Sequence, residues 1–156
     1  MIINKMPIGR NFSKRFNSMR YIVVHDTGNS DLGAGAIKHF KYFSSGYRGA
    51  SAHYFVDDRN VVELIDPNLV AWHVGDGKGR NGIYNSNSIG VEICVNPDSD
   101  FNKAMAQALE LIRFLMKFYR IPKSRVVRHF DASGKICPRS MSDNGWELWK
   151  GFYEKI

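Results

Sequence analysis

Residues 125–138 read RVVRHFDASGKICP, and the reading of the whole chain turns on them. Val126 and Val127 are β-branched and predict a short strand. His129 follows two residues after Val127. Asp131, Ala132, Ser133 and Gly134 are turn chemistry, and they bring Lys135 and Cys137 back toward whatever His129 faces. A short strand followed by a tight loop can set an imidazole and a thiolate on one centre. That donor pair suits zinc, which binds nitrogen and sulfur at about 2.0–2.3 Å. Two ligands do not make a site. A third stands far upstream: His25, at the end of the apolar run Tyr21-Ile22-Val23-Val24. A catalytic zinc has three protein ligands and an open position, and His25, His129 and Cys137 meet that count. On spacing alone the plain alternatives stay open. A histidine at a strand end is often only hydrogen-bonded structure, and Cys137 reads equally as a small buried hydrophobe.

Working outward, residues 1–19 read as an irregular polar lead-in. Residues 21–25 form a buried strand, stopped by Thr27-Gly28. Residues 34–44 carry Ile37, Phe40 and Phe43 at helical spacing, with Gly46 as a stop and His39 as a surface or packing residue. Residues 52–56 and 61–65 flank Asp57-Asp58-Arg59-Asn60, a hairpin signal. Residues 70–88 are rich in Gly and Asn and read as a long loop of the functional kind. In residues 88–95, Ile89, Val91, Ile93 and Val95 share one face, and Gly90, Glu92 and Cys94 share the other. Phe101, Met105, Ala108, Leu109, Ile112, Leu115, Met116 and Tyr119 form one apolar helical stripe, closed by Pro122. Residues 146–156 form a terminal helix. Strands alternating with helices give an α/β fold, a single domain over residues 1–156 with a mixed central sheet flanked by helices.

The 156 residues suit one hydrophobic core. No segment approaches the ~20 apolar residues of a membrane span, so membrane insertion is not expected. The opening MIINKMPIGRNFSKRF is basic and lacks the apolar run of about 7–15 residues that marks a signal peptide. That predicts a protein made in the cytoplasm that reaches any outside target by another route. Two cysteines argue against a disulfide scaffold, and Cys94 reads as a buried core thiol. The net charge of +7 favours an anionic partner. Nucleic acid, anionic lipid and an acidic polymer are the candidate classes, but the lysines and arginines are dispersed and no nucleic-acid motif is visible, with a solvated basic surface as the bland alternative.

Glu92 is the candidate general base. An acidic residue in an otherwise apolar strand is costly unless it is paired or faces a cleft; the alternative is a buried ion pair with Arg128 or Lys135.

VVHDTG (23–28), SAHYFVDD (51–58), AWHVGDG (71–77), NSNSIGVEIC (85–94) and VVRHFDASGKICP (126–138) occur in one particular order. It is the order found in zinc-dependent N-acetylmuramoyl-L-alanine amidases of type 2, which are related to phage lysozymes of the amidase kind and to peptidoglycan recognition proteins. The chain resembles that family from about residue 20 to residue 149. The resemblance implies one zinc ion per chain held by His25, His129 and Cys137. It implies that Glu92 is the base and that Lys135 stabilises the oxyanion. It places the segment of His73 at the substrate groove, where His73 would touch the peptide stem; Trp72 is left as core. Some phage relatives have a catalytic tyrosine near the position of His53. Here His53 precedes Tyr54, alternation lets only one face the site, and His53 is expected as a site wall that polarises the scissile carbonyl. The implied activity is cleavage of the amide between N-acetylmuramic acid and L-alanine in bacterial peptidoglycan. The implied setting is the catalytic domain of a phage or prophage endolysin, reaching the wall after lysis or through a holin-type pore. The rival is a peptidoglycan-recognition module that binds without cutting; such relatives typically lose the cysteine ligand, which is present here. Stem-peptide preference, host and oligomeric state are not legible.

Overall fold

The computed structural model describes residues 1–156. A continuous apolar strand and an alternating one form its centre: β3 (Tyr21–Asp26) and β7 (Ser88–Ile93), which run parallel. Parallel neighbours need a crossover, and parallel sheets are covered on both faces. With β1 (Ile3–Lys5), β4 (Tyr54–Val56), β5 (Val61–Glu63) and β8 (Val126–Arg128) they form a six-stranded sheet, ordered β1-β5-β4-β7-β3-β8. Only the β4–β5 hairpin is antiparallel, so the sheet is mixed as expected. The Asp57 carboxylate closes that hairpin by accepting from the backbone N–H groups of Arg59 and Asn60. A two-stranded sheet pairs β2 (Phe12–Lys14) with β6 (Leu69–Ala71).

The two faces of the large sheet do different work. One face sets Ile22, Val24, Ile89, Val91 and Ile93 against Ala108, Leu111, Ile112 and Leu115 of α2 (Phe101–Tyr119) and against Trp149 and Phe152 of α4 (Asp143–Glu154). Each large aliphatic buried there contributes about 1.5–3 kcal/mol. Asp100 caps α2 by accepting from Lys103 N–H, and Arg120 ends it in the left-handed region. The opposite face receives α1 (Ala36–Ser44) over Phe55 and Val62, and it carries His25 and Glu92 side by side, since the register pairs those two residues.

Three expectations are corrected. Residues 1–19 are not an irregular lead-in: they contribute β1 to the edge of the large sheet and β2 to the small one. Residues 70–88 are not all loop, because β6 begins the segment and three 3-10 turns follow. Asp131–Ser133 is not a turn but part of a short helix, α3 (His129–Ser133), which the left-handed Gly134 ends. No helix is long and apolar enough to cross a membrane.

Candidate metal centre and cleft

His25 leaves the C-terminal end of β3, and His129 opens α3 directly after β8. The Arg128 guanidinium donates to both oxygens of Asp131, and Asp131 Oδ2 also accepts from Arg128 N–H. This ion pair fixes the first turn of α3 and so the direction of His129. It also removes Arg128 as a partner for Glu92. The chain then doubles back, and Phe130 N–H donates to the Cys137 carbonyl at 3.0 Å. That single bond returns the thiol to the histidine it follows by eight residues.

One ligand atom from each of His25, His129 and Cys137 lies within 4.8 Å of the others. His25 Nδ1 is 3.1 Å from His129 Nδ1 and 3.8 Å from Cys137 Sγ. Tetrahedral zinc spaces its nitrogen and sulfur ligands about 3.3–3.6 Å apart, so donor set and spacing both fit that ion. His129 Nε2 lies 2.8 Å from Asp76 Oδ1. The carboxylate accepts there, which leaves Nδ1 of His129 with its lone pair toward the centre. Carboxylate support of this kind is usual behind a metal-bound imidazole. Burial, and then the charges of His129 and Lys135, hold His25 well below the ordinary histidine range. It is therefore neutral, as a ligand must be. Burial, and then Glu92, push the Cys137 thiol up to about 12. A cation at the centre would oppose both causes.

Glu92 sits beside this group, with Oε1 3.9 Å from His25 Nδ1. Its side chain is 18% exposed, and Oε2 is buried with no hydrogen-bond partner. Burial first, and then the charge of Asp26, push its carboxyl up to about 8, with Lys135 acting in the opposite sense. Thr27 Oγ1 is also buried without a partner, and Thr27 and Glu92 line the same cleft. Two polar atoms without partners in residues that line one cleft leave hydrogen-bonding capacity beside it. The cleft holds about 220 Å³ and joins a groove of about 560 Å³ across Ala50, Trp72, His73, His129 and Lys135. Lys135 is exposed at the junction. The joined groove suits an extended ligand.

Two expected site residues are placed differently. His53 is fully buried and does not form a wall of the cleft. It lies behind His73, ring edge to ring face at 5.8 Å, accepts from Gly90 N–H at Nδ1, and meets the Leu69 carbonyl through Nε2. The small sheet covers it: Arg15, just past β2, donates to the carbonyls of Pro67, Leu69, Ser86 and Ser88. His73 does line the cleft, but both its ring nitrogens face inward, to His25 and Ser88, so it offers a peptide no ring nitrogen. The sequence reading passed over Asp76 and Ser88, and its placing of Trp72 in the core is corrected, because the indole is only half-buried and lines the cleft. Trp72 is a groove wall, edge to face with Tyr47 at 6.0 Å. Asp76 and Trp72 stand in AWHVGDG and Ser88 opens SIGVE, so the motifs contained them. His39 packs flat on Phe55, and Cys94 is a free, buried thiol, both as expected.

A mixed sheet and the helix and loop after its last strand bring two imidazoles, a thiol and a carboxyl together at the head of an open groove, a donor set that could hold a metal ion. The chain belongs to the N-acetylmuramoyl-L-alanine amidase family, whose model matches residues 15–140. It is 43% identical over 136 residues to the N-acetylmuramoyl-L-alanine amidase CwlH of Bacillus subtilis (strain 168), covering 87% of this chain and 52% of that protein. It is 40% identical over 146 residues to XlyA of the same organism, an amidase of the same name, covering 93% of this chain and 48% of that protein. The solved catalytic domain of XlyA superposes with a TM-score of 0.86 at 38% identity, covering 100% of this chain and 99% of that one. The chain spans about half the length of these two curated relatives.

Proposed function

We propose that this chain is the catalytic part of a zinc-dependent peptidoglycan hydrolase of the phage or prophage endolysin kind. It would cut the amide between N-acetylmuramic acid and L-alanine, reaching the bacterial wall after lysis or through a holin-type pore. The observation that carries the reading is the meeting of His25, His129, Cys137 and Glu92 at one open groove in a chain of this family. Zinc bound by His25, His129 and Cys137 would supply Lewis acidity, lowering the pKa of a water and polarising a carbonyl.

The remaining work belongs to the chain. Glu92 takes the proton from the attacking water as oxygen bonds to the carbonyl carbon. Lys135 sets a positive charge beside the oxygen that becomes negative. The C–N bond then breaks, and Glu92 delivers the proton to the departing L-alanine nitrogen. The Trp72 and Tyr47 walls hold the strand of wall polymer along the groove.

The test begins with metal content, expected at about one zinc per chain. Chelation should stop wall lysis and added zinc should restore it. Digested walls should show new L-alanine amino termini and no new reducing sugar ends. New reducing ends would make it a glycosidase. Wall binding without any new ends would make it a recognition module.

A further inference from the structure

Strand β7 turns Ser88, Gly90 and Glu92 to the cleft side of the sheet, one at every second residue. Glu92 belongs to the chemistry above. The other two hold His73. Ser88 is fully buried, and its Oγ lies 2.6 Å from the Tyr84 carbonyl oxygen. A carbonyl oxygen only accepts, so the hydroxyl proton points there. Ser88 Oγ must then accept from His73 Nε2, 3.2 Å away. A neutral His73 with its proton on Nε2 has its lone pair on Nδ1. That atom is 3.0 Å from His25 Nε2, so His25 donates. The lone pair left to His25 is on Nδ1, the atom that faces His129 Nδ1 and Cys137 Sγ. One direction of donation runs from the candidate ligand atom, through two imidazoles and a hydroxyl, to a main-chain carbonyl.

Gly90 gives the relay its seat. A Cβ at that position would lie 2.7 Å from His73 Cγ and 2.8 Å from His73 Nδ1. The ring therefore occupies space that any other residue would fill. The Gly90 N–H holds His53 from the same position, and His53 closes the side of the His73 ring.

We infer that His73, anchored by Ser88 and seated on Gly90, is a positioning residue that fixes which nitrogen of His25 carries the proton and thereby sets how tightly the centre holds its metal. This rests on the metal reading proposed above. Support of a metal-bound imidazole by its hydrogen-bond partner is worth about 10–100-fold in affinity.

The experiment uses the whole chain and measures zinc dissociation constants by competition with a chromogenic chelator. Ring-nitrogen NMR of the unaltered protein, with and without zinc, reads the tautomers. His73→Phe keeps a ring on Gly90 but removes the acceptor, and zinc should bind about 10–100-fold more weakly. Ser88→Ala removes only the anchor and should weaken binding by less. His25 and His73 should both carry their proton on Nε2. Melting of each metal-free variant shows whether it is folded, and Ser88→Ala carries the affinity test if His73→Phe is not. Unchanged zinc affinity in a folded variant overturns the inference, and so does a proton on His73 Nδ1. Absence of zinc binding by the unaltered protein overturns the metal reading instead, while the tautomers of the metal-free protein still decide the relay.

Discussion

At Glu92, one carboxyl oxygen is buried without a partner while the other lies 3.9 Å from His25 Nδ1. No lysine or arginine pairs with it, because Arg128 is committed to Asp131 and Lys135 stands exposed at the groove. A carboxyl kept that way is placed to exchange a proton. Glu92→Gln keeps the shape and removes the proposed base. Turnover should fall about 10²–10⁴-fold with zinc content and wall binding retained; specific activity and zinc measured on one preparation check this. His53 shows the opposite use of burial. Burial, opposed in part by its bond to the Leu69 carbonyl, pushes it down to about 3. The unfolded chain takes up that proton near pH 6.5 and the native state does not. The stability His53 lends is therefore whole above about pH 6.5 and is lost as pH falls toward 3, at roughly one to two kcal/mol per pH unit. In urea unfolding at pH 7.5, 6 and 5, the stability gap between the unaltered protein and His53→Gln should narrow with acidity. A gap that stays constant would mean that His53 is not held neutral.

Among the elements, α3 and the turn over residues 75–77 depend on each other. Asp76 reaches His129 only because the loop lies directly on α3, where a Cβ at Gly77 would run into the Ala132 carbonyl oxygen. Gly77→Ala should lift the loop, part Asp76 from His129 and weaken zinc retention about tenfold; chelator-competition kinetics would show it, and retention equal to the unaltered protein would refute it. The same elements show what the sequence could and could not tell. Strand β3 was legible as an apolar run stopped by Thr27-Gly28, β7 by its alternation and helix α2 by its 3.6-residue stripe. Strands β1, β2 and β6 have three residues each and lack the hairpin signal that marked the equally short β4 and β5. The short helix α3 was hidden because Asp131, Ser133 and Gly134 are turn formers, and only the Arg128–Asp131 pair makes them helical. The trio His25, His129 and Cys137 was readable from donor chemistry and family order. The places of His53, His73 and Asp76 were not, since each is set by what the small sheet and the 75–77 turn bring against it.

Across the whole molecule, one face of the sheet is a continuous apolar core against α2 and α4, and the other carries the cleft. The net charge is +7, of the sign that attracts the anionic wall polymer proposed as substrate. Strands β3 and β7 serve both faces, with Ile22, Val24, Ile89, Val91 and Ile93 toward the core and His25, Ser88, Gly90 and Glu92 toward the site.

The pairing of His25 with Glu92 across two adjacent central strands bears on how the molecule breathes. Amides of β3 and β7 can open to solvent only when the sheet itself comes apart, whereas those of residues 73–87 open with their turns. Deuterium should therefore enter 73–87 early and 22–26 and 89–93 last, on the timescale of global unfolding. Early labelling of β3 or β7 would refute it. The span between ligand and base would then outlast every fluctuation short of unfolding, while the turns that border the groove are left to move and to vary with the ligand they meet.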